Sequence, residues 1–208
     1  MVAALFVETD GCYFGLPGVD PWDVKRDARK YAGPWPVIAH PPCQLWGRFA
    51  HVNFKRWGGE HNRPGNDNGC FHAALQAIQI FGGVLEHPAF SDAWKAFKLP
   101  RPVGLGWRFQ DGFWVCEVWQ SAYGHKARKR TWLLFCGPSK PSEMKWERPN
   151  ATHQIGFHDQ RGKERNKPTV SGKAASATPE SFRDALISLV APAVTPATTD
   201  PLSNADES

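Results

Sequence analysis

A cysteine in a stiff turn is the residue of this sequence best suited to chemistry. Cys43 follows two prolines in residues 39–44 (AHPPCQ), directly after an apolar segment that predicts a strand. In open α/β sheets ligands bind outside the carboxyl ends of strands, and a Pro-Pro pair fixes where the next side chain points. Basic residues in the following segment favour a thiolate, so the pattern indicates a nucleophile. The alternative is a buried structural cysteine.

A carboxyl group and two arginines stand at comparable positions further along the chain. Glu86 comes where an apolar run stops, so it would share a rim with Cys43, where a carboxyl can exchange a proton with a substrate ring. Arg128 and Arg130 alternate just before another apolar run, so both can point to one side of a strand. Taken alone, Glu86 also fits an ordinary loop carboxylate, and the arginines also fit a solvated basic turn.

Together these residues resemble the DNA cytosine-C5 methyltransferase family. That family has a Pro-Cys nucleophile after a strand, a glutamate at a later strand end and an Arg-x-Arg pair before another strand. The matching residues here are Cys43, Glu86, and Arg128 with Arg130, separated by 43 residues (Cys43 to Glu86) and 42 residues (Glu86 to Arg128). Order and spacing are both similar to the family's across roughly residues 36–137. The chain looks like the small methyltransferase-like proteins of bacteriophage genomes.

The resemblance implies modification of cytosine in DNA at C5. A Cys43 thiolate would add to C6 of the base and turn the ring into an enamine. Glu86 would stabilise that intermediate at N3 and the exocyclic amine, and an arginine near O2 would add electrostatic help. The base must be flipped out of the duplex to reach such a site.

The resemblance also implies S-adenosylmethionine as the methyl donor. We expect the cofactor at the turn after the first strand, because that turn borders the strand of Cys43. Glu8 or Asp10 would bind the ribose hydroxyls or the methionine ammonium, and Gly11 would allow close backbone approach. Alternatively, the two acids cap a helix near residue 21.

Other functions stay open at this point. The same covalent activation could use another donor or act on a free nucleotide, and a catalytically silent relative would only bind DNA. The residue types of the group His40, Cys43, Cys70 and His72 could in principle ligate zinc. The zinc deaminases, however, need a second cysteine that is missing after Pro42-Cys43, so no metal site is predicted.

Short apolar runs and amphipathic stretches alternate along the chain. Strands are predicted at residues 3–7, 36–40, 83–86, 113–119 and 131–135, and helices at 21–31, 70–81, 92–98 and after the cap-like pair Thr178-Pro179. This alternation predicts an α/β fold with a mostly parallel sheet. The resemblance implies that this is a reduced Rossmann-like sheet of methyltransferase type with long basic loops. The runs 113–119 and 131–135 could instead form an antiparallel edge.

The predicted organisation has three parts. Residues 1–137 form the Rossmann-like catalytic domain, 138–191 a basic loop region with a C-terminal helix, and 192–208 a disordered tail. Residues 47–69 and 137–173 have little periodicity and are predicted as long loops, the first of which would close over DNA.

Charge and composition point to a nucleic-acid partner. The 208 residues carry a net charge of +5, and residues 101–173 hold 14 Lys and Arg against 6 Asp and Glu, an excess that fits DNA. No stretch approaches the roughly 20 apolar residues of a membrane span. Five scattered cysteines suit a reducing compartment, so we expect a cytoplasmic protein, in the host cytoplasm for a phage protein.

Overall fold

The chain folds around one mixed β-sheet. The computed structural model describes residues 1–47, 50–155, 167–170 and 172–191. The sheet contains β1 (Val2–Leu5), β2 (Val19–Trp22), β3 (Val37–Ala39), β4 (Gly83–Pro88), β5 (Arg108–Gln110), β6 (Phe113–Trp119) and β7 (Arg130–Cys136). A separate parallel pair joins β8 (Gln154–Ile155) and β9 (Thr169–Val170).

The strand order across the sheet is β2-β1-β3-β4-β7-β6-β5. Strands β2, β1, β3 and β4 pair in parallel, whereas β7 is antiparallel to both of its neighbours and β5 is antiparallel to β6. The predicted α/β class is therefore confirmed, and the mixed sheet is loosely compatible with a Rossmann-like fold. The predicted antiparallel pairing of 113–119 with 131–135 is also observed. However, β7 lies inside the sheet, and β5 forms the edge.

Helices cover both faces of the sheet. They are α1 (Ala50–Trp57), α2 (Cys70–Phe81), α3 (Asp92–Ala96), α4 (Gly172–Ser176) and α5 (Glu180–Val190), with 3-10 turns at Ala28–Lys30, Glu60–Asn62 and Gln120–Tyr123. Within the described ranges, no helix combines the length and the apolar character needed to cross a bilayer.

Alternating side chains of the strands build one core on each face. Helices α2 and α3 pack with Leu85 and Leu134 on one face, here called the α2 face. Helix α5 packs with Val84 and Leu133 on the other face, here called the α5 face. Because successive strand residues point to opposite faces, the position of a residue in its strand decides which face it serves.

Helix α2 follows its predicted bounds. Phe71, Ala74 and Ile78 are fully buried, as a 3.6-residue periodicity requires. The side chain of Asp67 accepts hydrogen bonds from the backbone N–H groups of Gly69 at 3.0 Å and Phe71 at 2.8 Å. These bonds satisfy donors that a helix start leaves open, so the side chain of Asp67 caps the start of the helix.

The predicted helix over residues 21–31 is wrong. Residues 19–22 instead pair with β1 as edge strand β2, which tolerates Pro21 because one side of an edge strand needs no ladder hydrogen bonds. Asp23 then accepts bonds from the backbone N–H groups of Lys25 and Arg26, a turn that replaces the first turn of a helix.

Two other predictions change in detail. The segment 47–69 is not a structureless loop, since it contains α1 and a 3-10 turn. The prediction makes Thr178 the cap of helix α5, but the helix begins after Pro179. Its apolar residues Phe182, Leu186 and Leu189 lie in the core. The helix packs on the main sheet from within region 138–191. The tail 192–208 lies outside the described residues.

Candidate active site

The carboxyl ends of β3 and β4 lie side by side. Ala39 pairs with Leu85 in parallel register, so the next residues, His40 and Glu86, are neighbours at the rim. Alternation from Val84 places Glu86 on the α5 face, where its side chain is buried, with 8% of the residue exposed. As predicted, the strand that ends near Cys43 and the strand of Glu86 are neighbours in the sheet.

Both carboxylate oxygens of Glu86 have partners. The imidazole Nδ1 of His40 lies 3.0 Å from one oxygen, and Gln120 donates from Nε2 to the other at 3.1 Å. Gln120 also donates to Thr131 Oγ1 at 3.0 Å. Burial alone would raise the pKa of Glu86, but the bond from His40 and the nearby positive charge of Lys129 hold that pKa at about 2. The group is therefore a carboxylate at neutral pH.

His40 connects Glu86 to a buried phenol. The Tyr13 hydroxyl lies 2.9 Å from His40 Nε2, and burial keeps the pKa of Tyr13 well above its usual range. A hydroxyl can donate or accept, so the imidazole stays hydrogen-bonded at both nitrogens in its neutral and its protonated form. His40 therefore ties the Glu86 carboxylate to the Tyr13 hydroxyl. Sequence reasoning weighed His40 only as a metal ligand, although it is the residue directly after β3.

Cys43 is half-buried in the turn after β3 and interacts electrostatically with both Glu86 and Lys129. Burial raises the pKa of the Cys43 thiol, the Glu86 carboxylate raises it further, and Lys129 opposes both. The positive charge of Lys129 does favour a thiolate, as expected, but burial and the carboxylate outweigh it in the free protein.

The cation at this site is the residue between the two predicted arginines. Burial lowers the pKa of Lys129, while the negative charges of Glu86 and Cys43 oppose that change. Its Nζ donates to the carbonyl oxygens of Ser176 at 2.8 Å and Ala177 at 3.0 Å. The backbone of Lys129 has a φ of 37°, a conformation that few non-glycine residues adopt.

The two predicted arginines do point to one side, but it is the other side of the sheet. Arg130 forms a two-pronged ion pair with Glu117, at 2.7 and 2.9 Å, on the α2 face. The Arg128 guanidinium lies over the Trp119 ring, with 5.2 Å from its carbon to the ring centre. Alternation along β7 places Arg130 on the α2 face, and the left-handed backbone at Lys129, just before the strand, leaves the Lys129 side chain on the Glu86 side.

The turn after β1 borders the same rim. Leu5 accepts a bond from the backbone N–H of His40 at 3.0 Å, and Gly11 donates to the Glu8 carbonyl at 2.9 Å. A Cβ on Gly11 would lie 2.8 Å from that carbonyl oxygen, so the tight turn itself needs glycine here. Asp10 is exposed. The acids do not cap a helix near residue 21, because a strand occupies that position.

Helix α4 links the β1 turn to Lys129. Lys173 forms an ion pair with Glu8, with 2.8 Å between Nζ and Oε1, and the carbonyls that accept from Lys129 end the same helix. Glu8 thus already holds an ammonium group. The chemistry of this carboxylate fits the methionine ammonium of S-adenosylmethionine, which would have to displace Lys173.

A cavity of about 420 Å³ opens on the other side of the Cys43 turn. Its walls include Pro42, Gln44, Asp67 and Cys70, and it does not include Glu86 or Lys129. Among the residues that the structure describes, no group of three or more His, Cys, Asp or Glu side chains is placed to hold a metal ion.

Comparisons with protein-family models, with curated proteins and with solved structures found no match for this chain. The chemistry of the site therefore has to be argued from its own residues.

Proposed function

We propose that the protein modifies cytosine in DNA at C5 through a covalent bond between Cys43 and C6 of the base. The simplest form is methyl transfer from S-adenosylmethionine on a reduced Rossmann-like sheet of methyltransferase type. One observation supports the proposal most: β3 and β4 end side by side, so that Glu86, bonded to His40 at 3.0 Å, lies at the rim where the turn of Cys43 begins, and the charges of Glu86 and Lys129 both act on the Cys43 thiol. Covalent activation of a pyrimidine needs a nucleophile, a proton-exchanging group and a cation close together.

The reaction begins at the sulfur. The Cys43 thiol loses its proton to solvent, and the thiolate, stabilised by Lys129, forms a bond to C6. The electron pair of the C5–C6 double bond moves into the ring toward N3, which takes a proton from solvent through Glu86. The Lys129 ammonium, already fixed at the rim, offsets the negative charge that the thiolate brings to the ring.

Completion returns each proton and electron pair. C5, now electron-rich, forms its new bond, and its original hydrogen leaves as a proton. That electron pair restores the C5–C6 double bond as the sulfur–C6 bond breaks. The N3 proton returns to solvent through Glu86, which His40 holds in place by its bonds to Glu86 and Tyr13.

The donor would bind at the turn after β1. Glu8 would hold its ammonium and Asp10 its ribose hydroxyls, and S-adenosylmethionine would supply a methyl group activated by a sulfonium. The same residues permit the covalent step with another donor, or on a free nucleotide, since Cys43, Glu86 and Lys129 act on the ring alone.

A catalytically silent DNA-binding protein is the second candidate. It is favoured by one observation, the raised pKa of the Cys43 thiol, which leaves little thiolate in the free protein at neutral pH. Binding of a substrate phosphate or base would have to change that balance for catalysis to proceed.

Hydrogen exchange at C5 tests the covalent step without a methyl donor. DNA carrying tritium at cytosine C5 should release label to water, because addition at C6 makes C5 basic and its hydrogen exchangeable. We expect release by the wild type, none by Cys43→Ser, and normal release by the matched control Cys70→Ser. Absence of release from the wild type, with DNA binding intact, would instead support the silent DNA-binding protein.

A further inference from the structure

Three arginines surround one tryptophan at the rim, on the α2 face. The guanidinium carbons of Arg128, Arg130 and Arg148 lie 5.2, 5.8 and 5.7 Å from the ring centre of Trp119. One carboxylate, that of Glu117, is shared by Arg130 and Arg148. Arg130 and Arg148 outnumber the one carboxylate they share, and their side chains remain 42% and 48% exposed.

A strained, exposed phenylalanine extends this cluster. Phe90 follows β4, has a φ of 64° and is 63% exposed. The Arg130 guanidinium lies 4.7 Å from its ring centre, so Arg130 stands between Phe90 and Trp119. A bulky residue held at positive φ with its ring in solvent costs folding free energy, and such strain concentrates at ligand sites.

The cluster and the candidate active site occupy opposite faces of the same rim. Lys129, between Arg128 and Arg130, interacts with Glu86 on the α5 face, while the arginines lie on the α2 face. Phe90 follows Glu86 by four residues in the same strand and turn. A chain that crosses the end of β4 would therefore touch both.

We propose that the arginine–aromatic patch, formed by Phe90, Trp119, Arg128, Arg130 and Arg148, binds the nucleic-acid strand that carries the target cytosine. Guanidinium groups match phosphates, and exposed rings stack on bases, a combination that an acidic peptide does not offer. A polymer is favoured over a free nucleotide because the patch and the Glu86 side lie on opposite faces of the rim. The strand backbone follows the α2 face and delivers one base across the rim to Cys43. This inference rests on the proposed function and makes a polymer, not a free nucleotide, the substrate.

Binding of fluorescein-labelled single-stranded 20-mer DNA, followed by anisotropy across a salt series, tests the patch. The double variant Arg128→Gln/Arg148→Gln should bind roughly 10- to 30-fold more weakly near 0.1 M salt and should flatten the log–log salt slope by about 1.4, the value for two lost phosphate contacts. Phe90→Ala should weaken binding roughly tenfold and leave the slope unchanged, because stacking involves no counterions.

Two control variants remove a cation and an exposed aromatic ring outside the patch. Lys25→Gln removes an exposed cation beyond the opposite sheet edge, and Phe109→Ala removes a phenylalanine that is 60% exposed on β5. Both should bind as the wild type does, and circular dichroism should report native folds for all variants. Equal losses in controls and patch variants, or a patch variant that loses polyglutamate binding but keeps DNA binding, would overturn the proposal.

Different experimental results would contradict the proposed patch and the proposed reaction. If patch variants lose DNA affinity while wild type releases no tritium from C5, the patch stands and the proposed reaction falls. If patch variants keep DNA affinity and wild type exchanges tritium on free deoxycytidine monophosphate as fast as on DNA, the reaction stands and the patch falls.

Discussion

The charges beside Cys43 control how readily its thiol ionises. Burial and Glu86 raise the pKa of the thiol, and Lys129 lowers it. Replacing Glu86 with glutamine removes a negative charge, so the pKa of Cys43 should fall. Replacing Lys129 with methionine removes the positive charge, so the pKa should rise further.

Alkylation by iodoacetamide, resolved by peptide mass spectrometry from pH 7 to 10, measures these shifts. At pH 8 we expect Glu86→Gln to react roughly three- to tenfold faster at Cys43 than wild type, and Lys129→Met slower by a similar factor, since a tenfold change corresponds to one pKa unit. Lys129→Arg should react as wild type, and the rate at Cys70 in the same samples serves as reference. Unchanged Cys43 rates in both charge variants would contradict the site geometry.

At this scale the sequence predicts the pairing of Cys43 with Glu86, because both follow apolar strands that a parallel sheet brings together. It does not predict Lys129. The arginine pair led the prediction to the wrong face, because the left-handed backbone at Lys129, which places its side chain on the opposite face from both neighbours, has no sequence signature. The link from Glu86 through His40 to Tyr13 needs the folded β1 turn, which no local pattern reveals.

Helix α4 is the element that closes the candidate cofactor site. Its Lys173 forms an ion pair with Glu8, and the carbonyl of its last residue, Ser176, accepts a hydrogen bond from Lys129. Lys173→Ala should therefore let S-adenosylhomocysteine bind about two- to fivefold more tightly in titration calorimetry, the range for an exposed ion pair. Asp10→Ala should abolish binding.

The control for this effect is Lys140→Ala, which removes another exposed lysine, paired with Glu143 at 2.6 Å. Its affinity for S-adenosylhomocysteine should equal that of the wild type. Tightening of the same size in Lys140→Ala, or undiminished binding in Asp10→Ala, would remove the β1 turn as the cofactor site.

Elements with strong periodicity are the ones that sequence reasoning finds. The stripe of α2 and the apolar run of β6 are both predicted within one residue of their bounds. Strand β2 is missed because Asp20-Pro21 imitates a helix start, and only pairing with β1 makes it a strand. Strand β5 has only three residues, two of them exposed, so it carries no readable pattern.

At the scale of the whole molecule, falling pH destabilises the two cores over different pH ranges. His87 points to the α2 face, fully buried and edge-on to Phe71, with 5.1 Å between ring centres. Burial lowers the pKa of His87 to about 4. Its ordinary value is near 6.5, so the unfolded chain takes up a proton that the folded chain refuses as the pH falls from about 6.5 to about 4.

Folding stability should accordingly fall over that window. Urea unfolding at pH 6.5 and pH 4.5 should show a loss of about 2–3 kcal/mol in wild type that is largely absent in His87→Phe. Glu86 adds a separate loss, because its folded pKa of about 2 lies below the ordinary value of a carboxyl, so this loss falls between about pH 4.5 and 2. Equal pH dependence in wild type and His87→Phe would show that His87 is protonated in the folded state.

Capture of the covalent bond to C6 tests the proposed chemistry most directly. In DNA with 5-azacytosine, ring position 5 is nitrogen, so the addition product persists without a methyl donor. Random duplexes of this kind should give the wild type a band that survives a denaturing gel, with the modified peptide at Cys43. The Cys43→Ser variant should give no band, and Cys70→Ser should give the wild-type amount. An adduct that persists in Cys43→Ser, or no adduct with a wild-type protein that binds the DNA, would contradict nucleophilic catalysis by Cys43.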